Sequence, residues 1–504
     1  MNLPFLPLIS RAQEFSQNIA IAVSKKETEQ KFTYQDLLTV SQQIARVLLE
    51  NNQDLQNQRI AFLIPSGFDY VATLWGIWRA GGIAVPLCVV HPLPELEYVI
   101  RNTGASVVIA HPDFAATLQA IAHTHNLRFI LTCNFFEPVF ESVAESAFNH
   151  LPKIETTRPA LILYTSGTTG KPKGVVLTHA NLEAQITSLV TAWAWQSSDR
   201  ILHVLPLHHI HGIVNVLLCA LWVGAECVII PKFDPELVWH RICAGDLTLF
   251  MAVPTIYVKL ISAWQKASKQ KQQELSASAN QLRLMVSGSA ALPKSVLETW
   301  QRITGHFLLE RYGMTEIGMA LSNPVQGDRL AGYVGQPLPN VEVRLIQEQG
   351  ESAGEIQVKG AGVFLEYWQN PEATAKAFID GWFRTGDLAV CEDGNYRILG
   401  RISVDIIKTG GYKVSALEIE EVIRTHPHIQ ECAVVGVNDP EWGERVCAAM
   451  VLKSPAPELP LSDFRSWAKQ HLAVYKVPSQ ILILPELPRN PMGKVTKPAI
   501  AKLF

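Results

Sequence analysis

The sequence lacks a long uninterrupted apolar run. Its longest apolar stretch, residues 213–230, is broken by Asn215, Gly224 and Glu226. A membrane-spanning helix needs about 20 consecutive apolar residues, so we expect no membrane span and predict a buried helix that runs into a strand. Residues 1–20 lack a basic region followed by an apolar core, so we expect no secretory or transit signal and a cytoplasmic protein.

Paired cysteines and an excess of basic charge are also missing. None of the eight cysteines forms a C-x-x-C pair, and their spacing fits neither a zinc site nor a disulfide framework. We therefore expect free, buried thiols. A formal net charge of −3 gives no electrostatic reason to expect nucleic-acid binding. A small anionic ligand remains possible where positive groups cluster locally.

The chain is long enough for several hydrophobic cores. At 504 residues and 48% hydrophobic content, two or more domains are expected. Strand-like runs at 59–64, 83–88 and 106–110 alternate with a helical pattern at 68–80. This alternation predicts α/β layers with largely parallel sheets.

The C-terminal hundred residues have a different pattern of predicted helices and strands. After a β-rich stretch at 332–399, helical and strand patterns form a compact α+β set from about residue 414. We predict a large N-terminal domain (1–400) of layered α/β subdomains plus a β-rich subdomain, a hinge at 401–404, and a small, mobile α+β domain at 405–504. The polar stretch 265–281 is expected to form an exposed helix end and a surface loop.

A Gly- and Lys-rich loop is the strongest functional motif. Residues 164–174 read Tyr-Thr-Ser-Gly-Thr-Thr-Gly-Lys-Pro-Lys-Gly, with three glycines, four Ser/Thr residues and two lysines. Glycines let backbone N–H groups converge on an anion, hydroxyls add donors, and lysines neutralise phosphate charge. The spacing is not that of a Walker A loop, since Pro172 stands where a magnesium-binding hydroxyl would be. We predict a phosphate-binding loop; an ordinary turn-rich connection is the alternative.

This loop resembles the signature of the adenylate-forming superfamily, which includes acyl-CoA synthetases, luciferases and peptide-synthetase adenylation domains. Six further motifs of that superfamily occur in order between about residues 30 and 500: Leu-Pro-Leu-His-His-Ile-His-Gly at 205–212, Ser-Gly-Ser-Ala-Ala at 287–291, Glu-Arg-Tyr-Gly-Met-Thr-Glu at 310–316, Arg-Thr-Gly-Asp at 384–387, Gly400-Arg401, and Pro-Arg-Asn-Pro-Met-Gly-Lys at 488–494. The resemblance implies two half-reactions separated by a domain rotation. ATP and an acid form an acyl-adenylate and pyrophosphate, and coenzyme A then displaces AMP, with Mg²⁺ as cofactor.

The resemblance also implies a nucleotide and coenzyme A site. Tyr312 would lie against adenine, Asp387 would accept hydrogen bonds from the ribose hydroxyls, and Arg401 would contact the ribose. The segment 408–414 resembles the one that forms a pantetheine tunnel. The full set is Thr165, Ser166, Gly167, Thr168, Thr169, Gly170, Lys171, Lys173, Gly288, Ser289, Ala290, Glu310, Tyr312, Gly313, Asp387, Arg401, Lys408, Gly410 and Gly411.

The implied catalytic residues are Lys494, Glu316, Thr315 and His209. Lys494 would reach the substrate carboxylate and the α-phosphate, where negative charge develops; an ordinary exposed lysine is the alternative. His209 would lie near the reacting carboxylate. Thr168 and Glu316 would supply oxygen ligands to Mg²⁺.

The hinge departs from the superfamily pattern. Many relatives have a Lys or Asp two positions after the Gly-Arg, whereas this chain holds one extra residue there. Ser403, Val404 and Asp405 all remain candidates for the pivot.

Three positions of the implied acyl pocket, His211, Ser289 and Arg311, indicate which acid is used. Relatives that bind apolar acids commonly have glycine where Arg311 stands. A buried unpaired arginine is costly, and a bidentate carboxylate offsets that cost. We therefore predict an acid with a second carboxylate, and the motifs resemble the malonyl/methylmalonyl-CoA synthetase branch. Arg283 is a further candidate for the distal carboxylate.

Alternatives stay open at this point. Arg311 could form an ion pair with Glu310 or another acid, and His211 could be a core histidine. Another short acid, loading of a carrier protein, and a non-catalytic nucleotide sensor are the rival functions. We expect small-molecule partners only, and the oligomeric state is not predicted.

Overall fold

The computed structural model describes residues 6–25, 28–136, 151–165, 172–453, 459–490 and 493–504. The chain divides into two compact units. The first comprises Met1–Glu342 and Val358–Phe383, and the second comprises Val343–Gln357 and Arg384–Phe504. In the described part of the chain, every helix is too short or too polar to span a membrane.

The strands of the described residues are β1 Ile19–Ser24, β2 Glu29–Thr33, β3 Arg59–Leu63, β4 Ile83–Pro86, β5 Val107–Ala110, β6 Arg128–Leu131, β7 Pro159–Thr165, β8 Lys173–Thr178, β9 Arg200–His203, β10 Glu226–Ile229, β11 Leu249–Ala252, β12 Leu284–Ser287, β13 Leu309–Met314, β14 Gly318–Ser322, β15 Gln336–Pro337, β16 Glu342–Gln347, β17 Gly354–Lys359, β18 Glu366–Tyr367, β19 Phe378–Ile379, β20 Trp382–Glu392, β21 Asn395–Arg401, β22 Ile406–Thr409, β23 Tyr412–Ser415, β24 Ile429–Asp439, β25 Gly443–Leu452 and β26 Gln480–Ile483.

Among the described residues, the α-helices are α1 Pro7–Glu14, α2 Tyr34–Leu49, α3 Phe68–Arg79, α4 Leu93–Thr103, α5 Ala115–Thr124, α6 His179–Ala192, α7 Cys219–Val223, α8 Pro235–Cys243, α9 Pro254–Lys266, α10 Lys269–Asn280, α11 Lys294–Thr304, α12 Pro371–Ala377, α13 Ala416–Ile423, α14 Leu461–Ala468 and α15 Lys497–Ala501. A π-helical segment, His211–Leu218, precedes α7. Short 3₁₀ turns lie at Pro112–Phe114, Thr132–Phe136 and Val474–Lys476.

Two large sheets form the first unit. One has seven strands in the order β18–β8–β7–β4–β3–β5–β6, and the other has nine in the order β15–β14–β13–β12–β11–β9–β10–β1–β2. Strands β3 to β7 are parallel in the first sheet, and β1 and β9 to β13 are parallel in the second. Because parallel strands need crossover connections, helices lie between them in sequence.

Each sheet has its own apolar core. The nine-stranded sheet packs against α8, α9, α10 and α11, where Trp239 and Trp300 stack with ring centroids 5.7 Å apart. A buried ring of this size removes on the order of 200 Å² from water, worth about 5 kcal/mol. The seven-stranded sheet packs against α4 and α5. These cores hold the strand ends in fixed positions.

The second unit ends in a small α+β fold. Its five-stranded sheet has the order β23–β22–β25–β24, with β26 paired to β25, and α13 and α14 contribute to its core. A tight turn at Gly410-Gly411 joins β22 to β23. Both glycines have positive φ, 54° and 83°, which is why glycine is favoured at this hairpin turn.

The predicted fold class is confirmed: the chain is an α/β protein with largely parallel sheets, a large N-terminal part and a small α+β C-terminal part. The stretch 213–230 is a buried helix leading into β10, as expected. The prediction of a surface loop within 265–281 is wrong, because most of this stretch forms α10, in which Leu275 and Ala279 are buried. The hinge at 401–404 stays a prediction; in the division into compact units, residues 384–400 group with the second unit.

Candidate active site

Three predicted motifs meet at one edge of the nine-stranded sheet. Strands β9, β12 and β13 belong to its parallel part, and the carboxyl ends of parallel strands lie at the same edge. The motif at 205–212 follows β9, the motif at 287–291 begins at the end of β12, and the motif at 310–316 lies on β13 and the turn after it. The topology therefore gathers residues far apart in sequence.

Arg311 is a buried cation at this edge. Its side chain lies on β13 and only 4% of the residue is exposed. One guanidinium nitrogen, Nη2, donates to Oγ of Ser289 at 3.3 Å, and Nε has no hydrogen-bond partner. Within the described residues no carboxylate pairs with it, so the predicted alternative of an ion pair with Glu310 is not observed. Burial lowers the pKa of Arg311 to about 9, which reflects the missing counter-charge.

Ser289 connects Arg311 to His211. Its Oγ lies 3.1 Å from Nδ1 of His211. Because a guanidinium only donates, the hydroxyl accepts from Arg311 and has its own hydrogen available for Nδ1. This arrangement favours the His211 tautomer with hydrogen on Nε2, and Nε2 is buried without a partner. The cluster thus presents two buried donors that lack acceptors.

Gly288 leaves room for the guanidinium. A Cβ at this position would lie 2.5 Å from both Cζ and Nε of Arg311, well inside van der Waals contact. Ser289, the next residue, has a φ of 68°, and Ala290 after it is exposed. The resemblance assigned Gly288 to the adenine side; the structure adds that its missing side chain admits Arg311.

Two histidines of the motif at 205–212 remain neutral at physiological pH. The rings of His208 and His209 are 4.1 Å apart, and Nε2 of each is buried without a partner. Burial lowers the pKa of His208 to about 2 and that of His209 to about 4. Burial also holds the pKa of His211 well below its usual value, with Arg311 as a second cause. A neutral imidazole can donate to a carboxylate without adding charge to the pocket.

His203, by contrast, is structural. Its Nε2 donates to the carbonyl of Gly212 at 3.0 Å, and its Nδ1 accepts from the backbone N–H of Leu205 at 3.2 Å. Both ring nitrogens are therefore satisfied. These bonds fix the start of the π-helical segment that carries His211, a type of helix found frequently at functional sites.

Alternation along β13 separates its side chains onto two faces. Arg311 lies on one face, and Glu310 and Tyr312 lie on the other. Oε1 of Glu310 accepts from the backbone N–H of Gly332 at 3.2 Å. A Cβ at Gly313 would lie 2.1 Å from the carbonyl oxygen of Gly318, so only glycine fits there.

Glu316 follows β13 together with Thr315 and is 5% exposed. Tyr367 donates to its Oε1 at 2.9 Å, and Nζ of Lys173 lies 4.8 Å from the centre of the Tyr367 ring. Tyr367 therefore joins the strand after the phosphate loop to the Thr-Glu motif. Sequence reasoning missed this tyrosine because no motif marks it; only the structure brings it to Glu316.

Most of the predicted phosphate loop, comprising Ser166, Gly167, Thr168, Thr169, Gly170 and Lys171, lies outside the described residues. Its flanking strands are those predicted. Tyr164 pairs with Gly174 and Thr165 pairs with Lys173 across the antiparallel pair β7–β8. The two ends of the loop are thus held together by the hairpin.

Arg283 requires a correction. Its Nε and Nη2 donate to the two carboxylate oxygens of Asp199, at 2.7 and 2.5 Å, and Nη1 donates to the carbonyl of Trp193 at 3.1 Å. A guanidinium already paired bidentately has little to offer a second carboxylate. Arg283 is therefore a structural residue and not a substrate contact.

In the second unit, Asp387 and Arg401 are cross-strand partners on β20 and β21. Nε of Arg401 donates to Oδ1 of Asp387 at 2.9 Å, and Nη2 lies 3.3 Å from Oδ2. A carboxylate has about four acceptor positions, so this pair leaves the predicted ribose contact open. The ion pair fixes both side chains in place.

The remaining predicted residues also lie in the second unit. Lys408, Gly410 and Gly411 lie in the β22–β23 hairpin, where the Lys408 backbone N–H donates to Oε2 of Glu444 at 2.7 Å. Lys494 is exposed. Its backbone N–H donates a hydrogen bond to Oδ1 of Asn490 at 2.9 Å. Its role stays a prediction.

The buried carboxylate of Glu316 fits the way in which proteins hold Mg²⁺. Among the described residues, no group of three or more His, Cys, Asp or Glu side chains is placed to hold a metal ion. Mg²⁺ is usually held by one or two carboxylates plus water and phosphate oxygens. The buried carboxylate of Glu316 meets that requirement, and Thr168 lies outside the described residues.

Known proteins are similar to this chain over nearly its whole length. Human mitochondrial malonate–CoA ligase is 44% identical over 99% of this chain and 92% of its own length, and malonate–CoA ligase of Arabidopsis thaliana is 39% identical over 99% and 88%. The crystal structure of ATP-bound MatB from Rhodopseudomonas palustris has a TM-score of 0.88 at 32% identity, covering 99% of this chain and 98% of that one.

The family match covers both parts of the chain. Residues 9–368 match the AMP-binding enzyme family, and residues 418–494 match the C-terminal domain of AMP-binding enzymes. The chain belongs to the AMP-binding enzyme family.

Proposed function

We propose that the protein is an ATP-dependent malonate–CoA ligase. It activates malonate, or methylmalonate, as an acyl-adenylate with release of pyrophosphate, and then transfers the acyl group to coenzyme A with release of AMP. The relatives named as malonate–CoA ligases, at 39% to 44% identity over almost the whole chain, support this activity.

The observation that carries the choice of acid is Arg311. Arg311 is 4% exposed and has no carboxylate partner among the described residues. Burying an unpaired charge costs free energy, and a bound carboxylate would offset that cost. Nε of Arg311 and Nε2 of His211 are both buried donors without acceptors. A carboxylate supplies several acceptor positions and one negative charge, so it satisfies both donors and neutralises the guanidinium.

The other carboxylate of the acid, which does not pair with Arg311, would react with ATP. One of its oxygens attacks the α-phosphorus of ATP, and the bond from that phosphorus to the pyrophosphate oxygen breaks. Neutral His209 is suited to orient this carboxylate by donating a hydrogen bond, and Lys494 to stabilise the charge that develops at phosphorus. The thiolate of coenzyme A then attacks the acyl carbon, and AMP leaves with the electron pair of the broken C–O bond.

Mg²⁺, when bound, would neutralise phosphate charge during adenylation. Glu316, held by Tyr367 at 2.9 Å, and Thr168 are the residues proposed to hold it. The glycines, hydroxyls and lysines of the loop 164–174 would bind the phosphates. Lys408, Gly410 and Gly411 are proposed to contact coenzyme A.

A cytoplasmic location is also proposed, because the eight cysteines are free thiols, as is usual in a reducing compartment. The human relative is named as mitochondrial. Imaging of the tagged full-length protein in its own cells would test the proposal, and a signal confined to an organelle would contradict it.

AMP release in the presence of coenzyme A tests the function. The acids to compare are malonate, methylmalonate, succinate, acetate and a fatty acid, each over a range of concentrations. We expect the highest kcat/KM with malonate or methylmalonate. A preference for acetate or the fatty acid would contradict the dicarboxylate pocket, and no acid-dependent AMP release at all would contradict the ligase activity.

A further inference from the structure

Helix α4 contacts both ends of the predicted phosphate loop. From the middle of the helix, Oη of Tyr98 donates to the carbonyl of Pro172 at 2.9 Å. One turn later, Oδ1 of Asn102 accepts from Oη of Tyr164 at 2.5 Å. Tyr164 immediately precedes Thr165 at the loop entry, and Pro172 is the last residue before β8. Residues four apart lie on the same face of a helix, so a single face of α4 reaches both ends.

Further contacts surround these two bonds. The rings of Tyr98 and Tyr164 meet edge to face, 6.1 Å apart at 84°. The backbone carbonyl of Asn102 accepts from Nε1 of Trp368 at 3.1 Å. Pro172 has a fixed φ, so holding its carbonyl also fixes the direction in which the chain leaves the loop.

Both tyrosines keep their donor hydrogens. Burial raises the pKa of Tyr98 and that of Tyr164, so neither hydroxyl ionises at physiological pH. Ionisation of the tyrosines therefore does not break either hydrogen bond at physiological pH.

We propose that Tyr98 and Asn102 are positioning residues for ATP binding, because they hold Pro172 and Tyr164, the described residues at the two ends of the phosphate loop. Neither residue needs to touch the nucleotide. They act through Pro172 and Tyr164, and the loss of either bond removes the contact between α4 and one of these two residues. The inference rests on the proposed function in that the loop binds the phosphates of ATP.

The test uses Tyr98→Phe and Tyr164→Phe in the full-length protein, because each removes one hydroxyl and keeps the ring. We expect the KM for ATP, and the Kd for ATP measured by calorimetry, to rise about threefold to tenfold in each variant, the usual effect of one hydrogen bond. The KM for malonate should change less than twofold. Asn102→Ala should resemble Tyr164→Phe, and combining those two should add little because they remove the same bond.

Tyr34→Phe is the matched control. It also removes a tyrosine hydrogen bond to a backbone carbonyl, that of Ala225 at 2.7 Å, but in a different part of the first unit. It should lower the melting temperature without changing the affinity for ATP. An unchanged ATP affinity in Tyr98→Phe and Tyr164→Phe, or an equal rise in the KM values for ATP and malonate, would overturn the inference. If the wild-type protein binds ATP but forms no AMP with any acid, the proposed function fails while the Kd comparison still decides the role of α4.

Discussion

At the scale of single residues, the acid pocket depends on a missing side chain. A Cβ at Gly288 would lie 2.5 Å from Cζ of Arg311, and the guanidinium would have to move. We expect Gly288→Ala to raise the KM for malonate about tenfold or more, the loss of one charge-assisted contact, with a smaller change in the KM for ATP. The measurement is steady-state AMP formation with each substrate varied.

Gly67→Ala is the control for that substitution. Its φ of 169° is extended backbone, and an added Cβ would have no neighbour closer than 4.0 Å. Gly67→Ala should leave the KM for malonate and the KM for ATP unchanged. A Gly288→Ala enzyme with a normal KM for malonate would show that Arg311 does not bind the acid in its present position.

Lys494 offers a second test at this scale, because its predicted role belongs to one half-reaction. Lys494→Ala should lower acyl-adenylate formation by about a hundredfold or more, since it removes the charge expected at the reacting phosphate. Formation of the thioester from supplied malonyl-AMP and coenzyme A should be nearly normal. Rapid-quench measurement of each half-reaction separates the two, and equal losses in both would contradict the assignment.

The two candidate arginines show what sequence can and cannot predict at a site. Arg311 stands inside a motif of the superfamily, so the resemblance placed it in the acyl pocket, and the structure shows that it is buried. Arg283 stands just before β12, and its partner Asp199 is 84 residues away in the chain. A partner so distant leaves no local pattern, so the ion pair that excludes Arg283 from the pocket appears only in the folded chain. Tyr367 was missed for the same reason.

At the scale of elements, strongly patterned segments were predictable and weakly patterned ones were not. The helix expected at 68–80 is observed as α3, Phe68–Arg79, which is mostly apolar and buried on nearly all sides. The segment 265–281 is polar almost throughout, so only Leu275 and Ala279 mark the buried side of α10. Two apolar residues give too little periodicity to distinguish a helix from a loop.

A buried lysine at the start of α15 forms ion pairs with Glu420 and with Asp405, one of the candidates for the hinge pivot. Nζ of Lys497 lies 2.6 Å from Oδ1 of Asp405 and 2.7 Å from Oε1 of Glu420, and its side chain is 11% exposed. We expect Lys497→Met to destabilise the second unit by on the order of 3 kcal/mol, because two carboxylates lose their shared cation. Urea unfolding followed by tryptophan fluorescence would measure the loss.

Lys376→Met is the comparison for Lys497→Met. Lys376 pairs with Glu372, but both side chains are more than 70% exposed, and exposed pairs contribute at most about 1 kcal/mol. Similar, small effects of the two substitutions would mean that the buried triad contributes no more than a surface ion pair.

At the scale of the whole molecule, buried neutral histidines make stability depend on pH. Burial lowers the pKa of His179 to about 3 and that of His203 to about 4. As pH falls below 6.5, the ordinary pKa of histidine, these histidines bind protons in the unfolded chain but not in the folded protein. Stability is thus fully present above pH 6.5 and is lost as pH falls toward 4, by about 1 kcal/mol per histidine at pH 5.5.

His179→Phe isolates this effect. His179 packs edge-on against Trp78 with ring centroids 5.5 Å apart, a position that a phenyl ring also suits. Relative to the wild-type protein, the urea midpoint of the variant should improve as pH falls from 7.5 to 5.5. A parallel decline of the two proteins would show that His179 does not contribute to the pH dependence.

The central claim is that Arg311 selects an acid with a second carboxylate. The most direct measurement is kcat/KM for malonate and for propionate, a monocarboxylate of similar size, in the wild-type protein, Arg311→Met and Arg283→Met. The account predicts that Arg311→Met lowers kcat/KM for malonate about tenfold or more and shifts the preference toward propionate, while Arg283→Met keeps the wild-type preference despite lower stability. Unchanged malonate selectivity in Arg311→Met would contradict it.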